Sequence, residues 1–435
     1  MIALRVAIAG LFVLSGQTGA AVAETIIHAG TLIADADTEP QQQQSIVIEN
    51  GKVVRILDGF LDAPSVIDLS CCFVVPGFID MHTHITLEIA ENDPRAVLLN
   101  AYMLPKSQVA LAAAGRAMEV LNLGFTTIRN LGDPADVSRD LRDAIARGQV
   151  PGPRMIVAGG AQIGVSGGDY DPGALRLSKA AEALVPTDGQ CDGPAACRAA
   201  VRSAFRRGAD VIKLRLSSVS LLRPKVRRLE HEDEIAAIVE TAHDLGMRVA
   251  AHASTEDRAT MAIAAGVDTI EHAPLSAQNI AAMGKANIAY TPTLQASLQL
   301  GPMIKRMAGI DYYDAGLRSA KAAYDRGIPV LFGSDLGAIR VADMRLEFVR
   351  LAEAGIPLDG VLKSATSAAA AALGMDDQIG AIRPGLSADI VAMRKNPLAD
   401  VGAYQTVVFV MKGGRIYKNE GHCHVKSATD ADIHG

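Results

Sequence analysis

The chain has 435 residues, 49% of them apolar, and a formal net charge of −6. That length and apolar content suit a large globular protein with a sizeable core, and so mild a charge gives no electrostatic reason to expect nucleic acid or an anionic membrane as a partner. Tryptophan is absent and aromatics make up only 4%, which argues against a surface built to stack bases or sugars.

Residues 1–23 read as a secretory signal: Arg5 gives a positive start, residues 6–14 a short apolar run, and Ala21-Val22-Ala23 a small-residue cleavage site before Glu24. The run is shorter than the roughly 20 residues of a membrane span. No membrane insertion is therefore expected once the signal is removed, and the mature chain is expected in the periplasm or secreted. Export permits disulfides. Cys191 and Cys197 enclose a turn-rich Asp-Gly-Pro-Ala-Ala and are expected to pair. Cys71 and Cys72, adjacent in an apolar strand, are expected as buried free thiols. Cys423 falls in a polar tail, residues 421–435, expected to be a flexible end.

After the signal come short β-like pieces at residues 25–33, 45–49 and 53–56, the last two joined by an Asn50-Gly51 turn signal. The pattern returns near the end, at residues 388–393, 406–411 and 415–417. Segments 24–73 and 386–420 can therefore pair into one small β domain, predicted as a β-sandwich, with residues 74–385 as an insertion. Inside that insertion, apolar strands alternate with helical stretches. The strands are predicted at 74–80, 126–130, 154–158, 211–216, 248–251, 269–271, 288–291 and 329–333, and the helices between them include 106–123, 197–207, 233–245 and 317–326. Eight βα repeats match an α/β (β/α)8 TIM barrel, usually roughly 250 residues with insertions. A doubly wound open sheet fits less well, because no G-x-G-x-x-G follows the first strand.

In such a barrel the reacting groups sit at the carboxyl ends of the strands. His82 and His84 follow the first strand, two apart and so on one side of it. Lys213 lies in the fourth strand, His252 after the fifth, His272 after the sixth and Asp335 after the eighth. Taken singly, each has a bland reading: a satisfied core histidine, a paired lysine, a helix cap at Asp335. Six such groups in one order around one mouth point to a metal site. A lysine facing two divalent cations should lose its charge, and a neutral amine can take up carbon dioxide as a carbamate able to bridge two ions.

These segments resemble the amidohydrolase superfamily, in particular its prolidase-like, imidazolonepropionase-related branch of binuclear metal hydrolases, over essentially the whole mature chain. The resemblance is carried by residues 76–84 (PGFIDMHTH), 124–130 (GFTTIRN), 250–253 (AAHA), 270–272 (IEH), 292–294 (PTL), 332–335 (FGSD) and 380–389 (GAIRPGLSAD). It implies that His82, His84 and Asp335 hold one metal, His252 and His272 a second, and carboxylated Lys213 bridges them. It further implies zinc as the occupant, a metal-bridging hydroxide as nucleophile and Asp335 as the group that carries the proton to the leaving amine. The expected substrate is a small amide: a dipeptide, an Xaa-Pro peptide or an N-acyl amino acid. A lactonase or esterase on the same site, or a catalytically silent metal-binding periplasmic protein, are the alternatives. The branch also implies a homo-oligomer.

The branch pattern breaks near the substrate. Where relatives carry Gly-Gly after the strand-four lysine this chain has Ser217-Ser218, where they have an aromatic after the strand-five histidine it has Ser254, and Gly-Gly-His becomes Gly167-Gly168-Asp169. Arg215, two residues after Lys213, is the candidate for a two-pronged hold on a substrate carboxylate; pairing with Asp169 or Asp171 is the competing reading. Asn130, Asp169, Tyr170 and Tyr290 complete the substrate candidates, with Tyr290 alternatively a core residue. The basic run 223–228 reads as a solvated loop, and His231 and His243 as ordinary residues of the following helix.

Overall fold

The computed structural model describes residues 24–87, 104–132, 137–160, 162–165, 189–216, 229–309 and 311–420. The predicted signal, Asp169, Tyr170, Asp171, the basic run and the tail with Cys423 lie outside them.

Sixteen strands are assigned in chain order among the described residues. β1 (Thr25–Leu32), β2 (Gln41–Glu49), β3 (Lys52–Asp58) and β4 (Val66–Pro76) come first, followed by β5 (Phe78–Thr83), β6 (Phe125–Asn130), β7 (Arg154–Val157), β8 (Gly164–Val165) and β9 (Gln190–Cys191). β10 (Val211–Arg215), β11 (Arg248–Ala253), β12 (Thr269–His272) and β13 (Ala289–Thr291) continue the series, and β14 (Ile390–Met393), β15 (Val407–Lys412) and β16 (Arg415–Asn419) end it. The two ends of the chain do meet, in one seven-stranded sheet of order β16-β15-β14-β4-β1-β2-β3. The sheet's pairing is continuous across all seven strands. Its inner face is packed with Ile27, Leu32, Ile46, Val74, Ile390, Phe409 and neighbours.

The predicted strand 74–80 is in fact two. β4 ends in the composite sheet at Pro76, and β5 opens the inserted unit at Phe78. Gly77 is the hinge: a Cβ there would lie 2.1 Å from Thr126 Oγ1, so only glycine lets the chain pass from one sheet to the other. The cysteine expectation also changes. Cys72 is a buried free thiol, but Cys71 is exposed and disulfide-bonded; the pair lies where the β1–β4 register shifts, between Leu69 and Phe73, and the bulge puts Cys71 at the surface. Cys191 and Cys197 are disulfide-linked, as expected.

The insertion is mixed α/β. β5-β6-β7 and β10-β11-β12-β13 are parallel throughout, with helices Lys106–Asn122, Pro194–Arg206, Glu232–Asp244, Glu256–Ala265, Ala277–Ala286 and Tyr312–Asp325 between and after their strands. The predicted strand 329–333 is irregular, with one bridge from Val330 to Tyr290. It is still held on both flanks: Leu331 N donates to Tyr290 O and Met81 N to Phe332 O. On the other side Asp210 N donates to Val157 O and Ile163 N to Lys213 O. No helix among the described residues is long and apolar enough to cross a membrane.

The strands are apolar at their starts and polar at their ends. Phe78 and Phe125 open β5 and β6 and pack with Phe332, Phe348 and Tyr404, the last two stacked 3.7 Å apart. The carboxyl ends carry His82, Arg129, Asn130, Lys213, Arg215, His252 and His272. Hydrophobic burial therefore consolidates one end of the unit and leaves the other for chemistry.

Asp389 fastens the two units. Its Oδ2 accepts from Arg154 Nη1 at 2.7 Å, its Oδ1 from Ser387 Oγ and Gly413 N, and its carbonyl from Gly77 N. Asp389→Ala strands the Arg154, Ser387 and Gly413 donors and should cost about 2 kcal/mol, read as an earlier urea transition; an unshifted transition would show that water replaces the carboxylate.

Candidate metal centre

His82 lies within β5 and His84 just beyond it. Across from them, residues 333–336 are laced to the strand: Asp335 N donates to His82 O at 2.8 Å and His84 N to Leu336 O at 2.6 Å. Asp80 Oδ1 accepts from both His82 N, at 2.9 Å, and Ser334 N, at 3.1 Å. Gly333 is needed for this approach, since a Cβ would sit 2.3 Å from Thr291 Cγ2. The outcome is that one ligand atom each from His82, His84 and Asp335 lie within 4.8 Å of one another. Asp335 Oδ1 is 3.5 Å from His82 Nε2 and 3.6 Å from His84 Nε2.

The other half comes from three adjacent strands. β10 supplies Lys213, β11 His252 and β12 His272. Lys213 Nζ approaches His82 Nε2 to 3.2 Å. The ring centres of His82 and His272 are 4.6 Å apart, and those of His252 and His272 4.7 Å. All six side chains singled out as ligands are thus brought to one end of the strands, in one cluster.

The cluster is chemically set for metal. His84 Nδ1 donates to Gly132 O at 2.7 Å, which leaves Nε2 as its lone-pair nitrogen. His82 Nδ1 meets Glu271 Oε2 at 2.7 Å, and His272 Nδ1 meets Thr293 Oγ1 at 2.6 Å. Fixing one ring nitrogen by hydrogen bonding orients the other as a ligand. Burial, reinforced by the Lys213 charge, pushes His84 down to about 3. Burial likewise holds His82, His252 and His272 well below the ordinary histidine value. Four neutral imidazoles at neutral pH are four potential donors. Burial also brings Lys213 down to about 7, against the pull of Glu271 and Asp335, and lifts Asp335 to about 6. The donor set therefore fits divalent metal of the nitrogen- and oxygen-seeking kind.

Sequence reasoning missed the residues that hold the ligands. Arg129 and Glu271 are 1% and 0% exposed and form a buried ion pair at 2.8 Å. Arg129 also donates to Met81 O and Thr269 Oγ1, and Glu271 accepts from Thr269 Oγ1. One signal was there: an arginine and a glutamate inside apolar parallel strands must find partners. Thr293 and Asp80 gave no such signal.

The substrate candidates divide. Arg215 Nη1 donates to Gln162 Oε1 at 2.9 Å, and the Arg215 charge contributes to the low pKa of all four histidines. Tyr290 takes the core position given as its alternative: it is fully buried in the main hydrophobic cluster and its hydroxyl donates to Ala273 O at 2.8 Å, so it braces the loop after His272. Asn130, fully buried, accepts from Ile85 N at 2.7 Å and shapes the turn beyond His84. His231 caps a helix and His243 meets Asp268, away from the cluster.

Parallel strands that end in neutral imidazoles, a buried amine and a carboxylate define a hydrolase with a metal-competent centre. The model of the Amidohydrolase family matches residues 73–417, and the chain belongs to that family, on its prolidase-like side; it is a hydrolase of amide carbon–nitrogen bonds. It is 28% identical over 429 residues to ochratoxinase from Aspergillus niger, covering 91% of this chain and 87% of that one. Among solved structures it is similar to a Xaa-Pro dipeptidase with bound methionine, at 30% identity and a TM-score of 0.82 over 91% of this chain and 100% of the other. A prolidase complexed with N-methylphosphonate-L-proline gives 27% identity and a TM-score of 0.78, over 91% and 100%.

Glu271→Gln keeps the shape but removes the charge that faces both His82 and Arg129. Metal affinity should fall about 10- to 100-fold, as measured by chelator competition; an unchanged constant would show that the carboxylate serves Arg129 alone.

Proposed function

We propose that this chain is an exported, metal-dependent amidohydrolase that cleaves a small amide, whether a dipeptide, an Xaa-Pro peptide or an N-acyl amino acid. The observation that carries the reading is the single cluster of four neutral imidazoles, Lys213 and Asp335 at the ends of parallel strands. The backbone bonds along β5–β7, β10–β13 and residues 329–335 support a closed (β/α)8 barrel around it.

His82, His84 and Asp335 would hold one divalent ion, and His252 and His272 a second. Lys213, neutral above about pH 7, would attack carbon dioxide, lose a proton and offer two carbamate oxygens between them. Two zinc ions held there would lower the pKa of water and polarise a carbonyl. Asp335, lifted to about 6, is suited to accept a proton at its carboxylate and return it to the departing amine. Arg215 would orient the substrate by its carboxylate, with Gln162 steadying the guanidinium. Export is supported by residues 1–23 and by two disulfide-bonded sites, Cys191–Cys197 and Cys71. A homo-oligomer remains part of the proposal on family resemblance.

Chelated protein should regain Xaa-Pro dipeptidase or N-acyl amino acid hydrolase activity on adding zinc with bicarbonate. Fully metallated protein that leaves a panel of these amides uncut, yet opens lactones, would transfer the reading to a lactonase. The bicarbonate stimulation should be strong at pH 8 and fade as pH falls through about 7, because protonated Lys213 cannot attack carbon dioxide; Lys213→Ala should abolish it. Arg215→Met should raise KM about tenfold or more for substrates with a free carboxylate and spare their amide-capped analogues. Equal loss on both would remove Arg215 from the substrate site.

A further inference from the structure

We propose that Glu347 is a positioning residue for the His252–His272 half of the centre, acting through Thr293. The inference rests on the metal-dependent reading above, and nothing in that reading requires Glu347.

Three observations meet here. Thr293 has φ of 49°, in the left-handed region, where a β-branched residue is a genuine outlier. Its Oγ1 lies 2.6 Å from His272 Nδ1, and His272 is itself left-handed, with φ of 70°. Neither residue would hold that conformation unaided. Immediately after Thr293, helix Leu294–Ala308 begins, and its first two N–H groups are taken by one carboxylate: Leu294 N donates to Glu347 Oε1 at 2.9 Å and Gln295 N to Oε2 at 2.7 Å. Both oxygens are used, one on each amide, so the helix start can neither rotate nor slide without losing one of them.

Glu347 is 0% exposed and sits far along the chain, in helix Leu346–Glu353. Its neighbour Phe348 stacks on Tyr404 at 3.7 Å and an interplanar angle of 6°. The carboxylate is therefore anchored in the apolar floor of the unit while its oxygens fix the turn at the rim. Through that turn the Thr293 hydroxyl sets the rotation of the His272 ring, and with it the direction of Nε2. Among the described residues no comparable hydrogen-bonded route runs from Glu347 to His82 or His84, whose Nδ1 atoms are held by Glu271 and Gly132. The two halves of the centre thus have separate supports, and a fault in one should not spread to the other.

The test is stepwise zinc binding by the full-length protein in bicarbonate, read by chelator competition, with His272→Asn marking which constant belongs to this half. Wild-type protein should bind two equivalents. Glu347→Gln puts an amide N–H against a backbone N–H, and Thr293→Val removes the hydroxyl at constant shape. Each should weaken the marked constant about tenfold while leaving the other within about twofold, and Thr293→Ser should restore it. Should Glu347→Gln fail to fold, Glu347→Asp, which keeps the carboxyl group but withdraws it by a methylene, should weaken the same constant. Variants that melt earlier yet keep both zinc constants would overturn the positioning role and leave Glu347 merely structural. Wild-type protein that binds fewer than two equivalents would overturn the binuclear reading itself, and the inference with it.

Discussion

The interaction on which the rest depends is the buried chain Arg129–Glu271–His82. A metal centre needs imidazoles that are neutral, fixed in tautomer and aimed inward, yet the interior that makes them neutral also penalises any charge placed beside them. Glu271 resolves the conflict because each of its oxygens has a distinct partner: Oε2 faces His82 Nδ1, and Oε1 takes Arg129 and Thr269. Arg129 in turn donates to Met81 O and Thr269 Oγ1. An ion pair this deep contributes little net stability against an apolar substitute, so its value lies in orientation. It directs the Nε2 of His82 toward Lys213 and Asp335, where an acid–base centre can be assembled.

Around that chain the fold separates stability from chemistry. The aromatic floor of Phe78, Phe125, Phe332, Phe348 and Tyr404 buries apolar surface at the strand starts, and the composite sheet presses on it through Tyr404 and the Asp389 network. The rim can then carry groups that would destabilise a core. Asp80 shows the boundary between the two: fully buried, raised to about 7 by desolvation, and bound by His82 N and Ser334 N, it joins the floor to two ligand-bearing segments at once.

Much of this was legible in the sequence, for identifiable reasons. The six ligand positions could be read because H-x-H, the strand-end histidines and Gly-Ser-Asp recur at strand ends in a fixed order. The meeting of the two chain ends could be read because their β patterns are short and alternate. The break at Gly77 does carry a turn signal, Pro76-Gly77, but the apolar residues on either side read as one strand, and the close approach to Thr126 fixes the corner. Residues 329–333 read as a strand from their apolar run, but Gly333 must approach Thr291 and His82 so closely that regular pairing lapses. The exposure of Cys71 has no sequence signal, because it follows from a register shift in the β1–β4 pairing. Thr293 and Glu347 were invisible for a further reason: they act through backbone geometry, which side-chain type does not report.

That backbone geometry is concentrated where function lies. Among the described residues, six non-glycine positions have positive φ, and Gln43, Asn50 and Asn287 lie in the composite sheet, its turn or a helix end. The other three are His272, Thr293 and Asp335; Asp and His enter this region more readily than most residues, whereas β-branched Thr293 does not. Left-handed backbone at such residues costs on the order of 1–3 kcal/mol each, and it persists only where surrounding bonds over-determine it. Each has such bonds: Asp335 through His82 O, His272 through Thr293, and the helix start beside Thr293 through Glu347. Conformational strain at the rim is thus offset by hydrogen bonds anchored in the floor. A substitution in the floor can therefore disturb the centre without touching a ligand.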